Sequence, residues 1–367
     1  MIVFLIIGTL AVFLSFLDRF RNKGFKYGLE MAFVLLTSFL VIRYEWGNDY
    51  HAYLVGFQNI SSIDFSLIFN FNELNDYFAD NHFEIGWIIL NILCAPIGFF
   101  GMVALLTIFQ CTVIYFFIKR NVKSDYYWFA VFIYVFTYHF MLIQASMMRQ
   151  AFSMTIVLCA YPYIIKKKIF KACLLILFAS FFHRSAIIIL PIVFGGYINL
   201  KFSLRNFFIL FFVFIFLFLL KDNIATLLKS FISENFSEYE GYTESSDIKN
   251  ISILTRIGYI SMIILIAYFV RMLPKEKRLM GWMVLFAVAY TLINPIGLAM
   301  RVMYYFLFFE IILFPFFLSR DGNFYIKLIF IFFVVIVNIR GIIMFFSSDV
   351  WRYFLTYNTI FTADNWY

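Results

Sequence analysis

The chain has 367 residues, of which 64% are hydrophobic and 14% are charged, and its formal net charge is +8 at pH 7. A soluble domain is roughly half apolar and about a quarter charged, so a water-soluble fold could not bury this much apolar surface. Continuous apolar runs such as residues 207–220 also exclude a transmembrane β-barrel, whose strands alternate apolar and polar residues. We therefore predict an all-α polytopic membrane protein, because helices pair their backbone polar groups within one segment.

Apolar segments recur along the whole chain. A bilayer-spanning helix needs about 20 such residues, and we predict about 12 (11–13) transmembrane helices in a single membrane domain, residues 1–367. The first segment lacks the basic start and the cleavage site of a signal peptide and is expected to remain as a helix. The predicted spans lie near residues 1–17, 28–43, 83–99, 101–118, 126–143, 148–165, 170–186, 187–200, 206–220, 256–270, 279–297, 302–318 and 327–346.

Lysine and arginine collect in four short connections, which predicts that these connections are cytoplasmic. The two long connections, residues 44–82 and 221–255, are acidic and are predicted to face outward. The net positive charge therefore fits anchoring against anionic lipid, and we expect no binding of nucleic acid. The basic residues are Arg19, Arg21, Lys23 and Lys26; Lys119, Arg120 and Lys123; Lys166, Lys167, Lys168 and Lys171; and Arg271, Lys275, Lys277 and Arg278.

Residues 83–118 do not fit a simple count of crossings. An odd number of crossings must separate an outward loop 44–82 from a cytoplasmic connection 119–124. The sequence between them shows two apolar segments that are broken at residues 95–98, Ala-Pro-Ile-Gly. Either the first segment enters the bilayer without spanning it, which is tolerated where protein covers the backbone, or residues 119–124 break the charge rule. The sequence leaves both alternatives open.

Ionisable side chains beside membrane spans are costly and are by default candidates for function. In this chain they fall at the predicted outward ends of spans. Taken singly, each has an ordinary explanation, such as a snorkelling arginine or an acid at a helix N-terminus. Three arginines, two carboxylates and a histidine at one face are nevertheless improbable as independent anchors. They are Arg43, Asp49, Glu84, Arg149, His183 and Arg301.

These residue types suit one kind of chemistry. Arginine binds phosphate oxygens through paired hydrogen bonds, and a carboxylate or histidine can take a proton from a sugar hydroxyl. Together they predict glycosyl transfer from a lipid-linked pyrophosphate at the outer leaflet. The sequence has no phosphate-binding Gly-rich loop and no cluster with metal-ligand spacing, so we expect no cofactor and no metal. Arginine can neutralise the departing pyrophosphate instead.

The same positions form five short motifs in order along the chain. They are Arg43 followed by Gly47, Asn48, Asp49, Tyr50 and Tyr53; Glu84 with Gly86 and Trp87; Arg149 with Gln150; His183 with Ser185, Ala186 and Pro191; and Arg301 with Tyr304. In these motifs the sequence resembles the EpsG-type branch of the Wzy polymerases of bacterial O-antigen, capsule and exopolysaccharide. Asn48 departs from the threonine that is usual there. The resemblance extends over residues 43–305.

The resemblance implies a GT-C-like glycosyltransferase in the bacterial inner membrane, with its active site at the outer face. Such an enzyme moves the growing glycan from undecaprenyl pyrophosphate onto a new lipid-linked repeat unit. The implied partners are the undecaprenyl-pyrophosphate-linked oligosaccharide and membrane lipid, and a separate chain-length regulator is a further candidate. Sugar identity and linkage depend on pocket shape and are not predicted.

Roles follow from the residues together with the resemblance. Either Asp49 or His183 is the predicted base that deprotonates the acceptor hydroxyl, and Glu84 is a second acid or a ligand of the acceptor. Arg43 is expected to support or orient Asp49. The residues assigned to binding of pyrophosphate or sugar are Arg43, Arg149, Gln150, Arg301, Tyr53, Tyr304 and Ser185.

Three other functions remain open at this point. One is a glycosyltransferase that uses a polyprenyl-monophosphate sugar and adds a single residue. Another is a flippase or transporter for a lipid-linked oligosaccharide, although such proteins often have internal repeats and broken helices in matching halves, and this sequence shows no such symmetry. A ligase that transfers finished chains to the lipid A core is the third.

Overall fold

In the computed structural model the chain is predominantly helical. The structure describes residues 1–62, 83–197, 253–293, 297–320 and 322–362, together with isolated positions between 203 and 230. The predicted span 206–220 lies largely outside the described residues. So do residues 63–82 of the first predicted outward loop and most of the second, 221–255.

The described α-helices follow one another as a series of apolar segments with short connections. They are α1 (Ile2–Leu17), α2 (Gly28–Val41), α3 (Tyr50–Ser61), α4 (Ile85–Cys94), α5 (Gly98–Asn121), α6 (Tyr127–Phe136), α7 (Met141–Ser146), α8 (Met148–Ile165), α9 (Ile169–Ser180), α10 (Ile253–Arg271), α11 (Lys275–Ile293), α12 (Gly297–Leu307), α13 (Glu310–Ser319) and α14 (Phe324–Phe346). Between α9 and α10 lies the 3-10 helix Arg184–Tyr197, and shorter 3-10 turns are Asp18–Lys23, Ala95–Ile97, Ser124–Tyr126, Asp349–Phe354 and Ile360–Thr362. Two short strands, β1 (Arg43–Tyr44) and β2 (Asn358–Thr359), pair antiparallel.

Two predicted spans are each divided into two helices. The span predicted at 126–143 breaks after Phe136, where the Thr137 hydroxyl donates to Asn338 Oδ1 at 2.6 Å and fixes the turn against α14. The span predicted at 302–318 breaks after Leu307, between α12 and α13. Neither break carries a Pro or Gly at the interruption, and for this reason hydropathy alone could not locate it.

Among the described residues, four helical runs are long and apolar enough to cross a membrane. They are Ile2–Phe20, Ile85–Asn121, Met300–Ser319 and Phe324–Phe346. Shorter apolar helices are Gly28–Val41, Ile169–Ser180, Arg184–Gly195 and Ile260–Arg271. The chain is therefore an α-helical membrane protein, whereas the predicted number of about 12 spans stays a prediction.

The basic connections gather at one end of the helix bundle, which we call the basic end. Lys119, near the end of α5, forms an ion pair of 2.7 Å with Glu30 at the start of α2. The turn Ser124–Tyr126 packs against the turn Asp18–Lys23 between α1 and α2. The first two basic connections of the chain are therefore neighbours in space.

The two later basic connections lie at the same end. The Tyr197 hydroxyl donates to the Lys167 carbonyl at 3.3 Å, and the 3-10 helix that ends at Tyr197 packs against α11. Lys277, at the start of α11, lies with its ammonium 4.9 Å from the ring centre of Phe316 on α13. Because α13 also packs against the turn Ser124–Tyr126, all four basic connections belong to the basic end.

Helix α4 does not reach from one end of the bundle to the other. The ring of Trp87, near its start, lies 5.2 Å from that of Tyr53, and the ring of Phe99, beyond its end, lies 5.3 Å from that of Tyr50. Tyr50 and Tyr53 are one helical turn apart on α3, so both ends of α4 lie much closer together than the ~30 Å thickness of the hydrocarbon core. The 3-10 turn Ala95–Ile97 then redirects the chain. Of the two alternatives for 83–118, the structure favours a first segment that does not span, with α5 as the crossing helix.

We expect residues 94–98 and 119–124 to lie on opposite sides of the membrane. A membrane-impermeant maleimide should label Ile97→Cys in spheroplasts and should label Lys123→Cys only after permeabilisation, in a chain whose native cysteines have been replaced. Ile97 is 51% exposed, which suits labelling from water. Labelling of Ile97→Cys and Lys123→Cys from the same side would contradict the assignment of α5 as the single crossing.

Candidate functional site

Glu84 forms the centre of a buried ionic cluster at the end of the bundle opposite the basic end. Its Oε2 forms an ion pair with Arg149 Nη1, and its Oε1 lies 3.0 Å from His183 Nδ1. The backbone N–H of Arg184 donates to Oε1 at 3.3 Å. Glu84 and His183 are only 6% and 8% exposed, so their mutual contacts replace most of their hydration. Three distant parts of the sequence thus meet at one carboxylate.

A glycine makes this meeting sterically possible. The Gly86 N–H donates to the Phe181 carbonyl at 2.9 Å, which joins the first turn of α4 to the segment that carries His183. A Cβ at position 86 would lie 2.7 Å from that carbonyl oxygen, well inside van der Waals contact. The Glu-x-Gly spacing therefore has a local physical cause: the carboxylate needs the close approach that the glycine allows two residues later.

Arg149 is held by aromatic rings as well as by Glu84. Its guanidinium carbon lies 4.8 Å from the ring centre of Phe83 and 5.8 Å from that of Tyr53, and its Nε donates to the Tyr53 hydroxyl at 3.5 Å. Arg149 occupies the first turn of α8, where the helix dipole disfavours a cation. The paired carboxylate of Glu84 and the two ring faces offset this cost.

Asp49 ends the loop between α2 and α3 and faces the same cluster. Its backbone N–H donates to Ser146 Oγ at 3.3 Å, just before α8. Burial raises the pKa of the Asp49 carboxyl, whereas the positive charges of Arg301 and Arg149 act in the opposite direction. Within the described part of the chain, no hydrogen bond to its carboxylate oxygens is present. Asp49 is thus a half-buried acid between two cations, with its lone pairs available.

Helix α12 closes the other side of the cluster. Gln150, next to Arg149, donates from Nε2 to the Arg301 carbonyl at 2.7 Å. The Tyr305 hydroxyl lies 3.0 Å from Ser153 Oγ and 3.2 Å from Ser185 Oγ, which connects α12 to α8 and to the 3-10 helix after His183. Tyr305 is therefore a structural link of the site that the sequence analysis missed.

Tyr304, which the sequence analysis assigned to binding, contacts a different neighbour. Its ring stacks on that of His139, with the ring centres 5.7 Å apart and the planes at 9°. His139 is half-buried in the turn between α6 and α7, and its buried Nε2 has no hydrogen-bond partner among the described residues. No motif in the sequence marked His139, because a lone histidine in an apolar run carries no spacing signal.

Arg43 lies apart from the Glu84 cluster. Its Nη1 donates to the Leu40 carbonyl and, at 3.1 Å, to Thr107 Oγ1, and its own carbonyl accepts from the Tyr50 hydroxyl at 3.1 Å. The side chain is almost fully buried. Arg43 is therefore connected to Asp49 indirectly, because its carbonyl accepts from Tyr50, the residue that follows Asp49. Its predicted role in binding, or in orienting Asp49, stays a prediction.

The described residues contain no group of three or more His, Cys, Asp or Glu side chains arranged to hold a metal ion. The cluster itself contains two arginines, two carboxylates and a histidine. Such a set can bind an anion through the guanidinium groups and can accept a proton at His183 Nε2 or at the Asp49 carboxylate.

The helices and this cluster define an α-helical membrane protein with a buried charged site at one end of its bundle. The chain belongs to the EpsG family, whose model matches residues 26–359. The match includes every candidate site residue and confirms the resemblance seen in the five motifs. No curated protein and no solved structure matches the chain.

The close approach at Gly86 can be tested without an activity assay. Gly86→Ala should lower the free energy of unfolding by about 1–3 kcal/mol, because its Cβ would overlap the Phe181 carbonyl and separate Glu84 from His183. Thermal unfolding of the purified protein in detergent measures the change. Gly341→Ala is the matched control, since a Cβ there would meet only Tyr138, at an ordinary 3.6 Å. Equal melting temperatures for the two variants would count against the steric argument.

Proposed function

We propose that this protein is a membrane glycosyltransferase that polymerises lipid-linked repeat units of a bacterial surface polysaccharide. It transfers the growing glycan from undecaprenyl pyrophosphate onto a new undecaprenyl-pyrophosphate-linked unit. Membership of the EpsG family supports the general activity. The observation that carries the proposal is the contact of Glu84 with both Arg149 and His183, because it places an anion-binding group and a proton acceptor at one site.

The proposed site faces outward from the inner membrane. Connections rich in lysine and arginine stay in the cytoplasm, and all four of them lie at the basic end. The Glu84 cluster lies at the opposite end, where a flipped lipid-linked substrate would present its pyrophosphate and its first sugars. This location supports a GT-C-like enzyme that acts at the outer face.

His183 is the base that we assign to the reaction. Glu84 Oε1 accepts a hydrogen bond from Nδ1–H of the neutral imidazole, which leaves the lone pair on Nε2. In the described residues Nε2 has no hydrogen-bond partner. In this arrangement the Glu84 carboxylate orients the His183 ring and stabilises its protonated form. Asp49 is the second candidate, because its carboxylate accepts no hydrogen bond from any described residue.

Arg149 and Arg301 are assigned to the donor pyrophosphate. Glu84 occupies one N–H of Arg149, and the Tyr53 hydroxyl occupies another, so the remaining N–H groups of this guanidinium are left for phosphate oxygens. The location of Arg301 supports its assignment, because the Arg301 carbonyl accepts from Nε2 of Gln150, the neighbour of Arg149, at 2.7 Å. Fixed donors at a developing negative charge lower the barrier without reorganisation during the reaction.

The proposed step balances in atoms and charge. The acceptor hydroxyl oxygen bonds to the anomeric carbon of the donor glycan, while the bond from that carbon to the pyrophosphate oxygen breaks. The bonding pair leaves with undecaprenyl pyrophosphate, and the hydroxyl proton passes to His183 Nε2. The cluster thus gains one positive charge as the leaving group gains one negative charge.

Deletion of the gene tests the function directly. The polymerase proposal predicts that gels of cell-surface polysaccharide keep the species with a single repeat unit and lose the ladder of longer chains. Loss of every surface repeat unit would point to a flippase or a ligase instead. An unchanged ladder with one sugar missing from each unit would indicate a transferase that uses a polyprenyl-monophosphate sugar.

Single substitutions test the site. His183→Ala should reduce polymerisation by about 10²- to 10⁴-fold, the usual contribution of a general base. Glu84→Gln should give a similar loss, because the amide no longer stabilises the imidazolium. Chain length on gels and turnover of lipid-linked repeat units in membranes provide the measurements.

Matched controls separate the site from general damage. The side chain of His51 is 68% exposed and pairs with the partly exposed Glu45, so His51→Ala and Glu45→Gln repeat the same changes of residue type outside the cluster. Both should retain long chains. If His183→Ala and Glu84→Gln also retain them while inserting normally, the assignment of the base fails and Asp49→Asn becomes the decisive variant.

Arg149→Lys tests whether the guanidinium shape matters in addition to its charge. Lysine keeps the positive charge but cannot contact Glu84, the Tyr53 hydroxyl and a phosphate in one plane. We expect a loss of about 10²- to 10³-fold, as for removal of one donor to a developing charge. Near-normal turnover of Arg149→Lys in membranes would show that a point charge suffices and would remove the planar contact from the proposal.

A further inference from the structure

The chain after its last long helix returns to the candidate site. We call residues 347–362 the C-terminal segment and residues 42–49 the Asp49 loop. Strand β2 of the segment pairs with β1 of the loop, with Arg43 opposite Thr359 and Tyr44 opposite Asn358. The Ile360 N–H donates to the Ile42 carbonyl at 2.9 Å and extends the ladder by one residue.

Trp46 is the main side-chain contact between the loop and the segment. Its Nε1–H donates to the Phe354 carbonyl at 3.2 Å, and its ring lies 4.9 Å from that of Phe354. Trp46 is completely buried. Asn48, the residue before Asp49, donates from Nδ2 to the Val350 carbonyl. The segment therefore contacts the loop from its first residue to the neighbour of the acid.

The backbone of the Asp49 loop needs such support. Glu45 has φ of +48° and Gly47 has φ of +130°, both in the region that L side chains rarely adopt. A non-glycine residue in this region costs free energy and persists only where surrounding contacts fix it. On the side away from the segment, a Cβ at Gly47 would lie 2.9 Å from the Ala145 carbonyl oxygen. The loop is thus held between the C-terminal segment and the turn before Arg149.

The outer surface of the C-terminal segment carries apolar and aromatic side chains among polar ones such as Asp349 and Arg352. Four side chains of the segment are largely exposed: Val350 (60%), Tyr353 (47%), Leu355 (45%) and Phe361 (71%). Aromatic and apolar groups at the end of a membrane bundle suit the boundary between acyl chains and headgroups. Lipid at this boundary would cover them and hold the segment against the loop.

We propose that the C-terminal segment is a membrane-interface anchor that fixes the Asp49 loop. Trp46 is the positioning residue: its contacts with the segment keep Asp49 in place. The contact itself does not depend on the reaction. Only its consequence for polymerisation rests on the proposed function, in which Asp49 faces the substrate. The two parts therefore need two separate measurements.

Labelling of a thiol at position 49 measures the position of the loop without any activity. In an Asp49→Cys chain whose native cysteines have been replaced, Trp46→Phe keeps an aromatic ring and removes only the N–H donor. We expect labelling by a soluble maleimide to become roughly fivefold faster, the factor that corresponds to one lost hydrogen bond. Trp351→Phe is the matched control, since Trp351 stacks on Phe345 of α14 and its N–H donates to no described residue.

Chain length in the otherwise native protein measures the consequence. Trp46→Phe should shorten the polysaccharide ladder, and Trp351→Phe should leave it unchanged. A disulfide between Ile42→Cys and Ile360→Cys should restore the ladder of Trp46→Phe, because these two residues flank the strand pair and are joined by a backbone hydrogen bond. Residues opposite each other in this way are about 5.5 Å apart between Cα atoms, which suits a disulfide. A variant that was merely misfolded would not be rescued by this crosslink.

The outcomes separate the two parts. Equal labelling rates in Trp46→Phe and Trp351→Phe would overturn the positioning role, whatever happens to chain length. Faster labelling with an unchanged ladder would support the anchor and would count against a catalytic part for Asp49. Failure of the paired cysteines to form a disulfide on oxidation would overturn the contact itself.

Discussion

The carboxylate of Glu84 is the charge on which the rest of the site depends. A carboxylate that is 6% exposed loses most of its hydration, which costs several kcal/mol unless opposite charges and hydrogen bonds replace the water. Arg149 and His183 supply that replacement from two other segments of the chain. The chain must therefore bring α4, the start of α8 and the end of α9 to the same end of the bundle.

This requirement explains the unusual course of α4. A helix that crossed the bilayer would carry one of its ends away from the cluster, whereas residues at both ends of α4 contact α3. The close contact of Gly86 with the Phe181 carbonyl then fixes the distance between α4 and the His183 segment. Removing one partner of such a buried set leaves an uncompensated charge, so losses of stability and of activity are expected to accompany each other here.

Sequence patterns predicted which residues lie together at each end of the bundle, but they did not predict which side chains contact one another. Ionisable residues in apolar sequence are costly, and this cost made Glu84, Arg149 and His183 visible as a set before any contact was known. Their pairing was not predictable, because it depends on how helices pack. Neighbouring positions on a helix point about 100° apart, and the sequence does not show which of them faces α8. Tyr305 makes the contacts to Ser153 and Ser185, whereas the binding role of Tyr304 stays a prediction.

Arg43 shows that a rare charge in apolar sequence can also lie outside the Glu84 cluster. The sequence grouped it with the other outward charges, whereas in the structure its Nη1 donates to the Leu40 carbonyl on α2 and to Thr107 Oγ1 on α5. Its predicted role at the site stays a prediction. A buried arginine and a substrate-binding arginine have the same signal in a hydropathy plot, since both are rare in apolar segments. The break at residues 95–98 was visible because Pro and Gly mark it, whereas the division of α6 from α7 depends on a tertiary contact of Thr137 with Asn338.

The pairing of the C-terminal segment with the Asp49 loop has the same physical cause as the helices in the rest of the chain. Backbone N–H and C=O groups near lipid need partners, and helices supply them internally. The loop from Ile42 to Asp49 cannot do so, because its left-handed residues interrupt the helix. Strand β2 and Ile360 provide backbone partners from outside the loop, and the Phe354 carbonyl accepts from the side chain of Trp46. A site that needs irregular backbone at the end of a membrane bundle thus needs a second segment to complete its hydrogen bonds, and in this chain the last described residues fulfil that need.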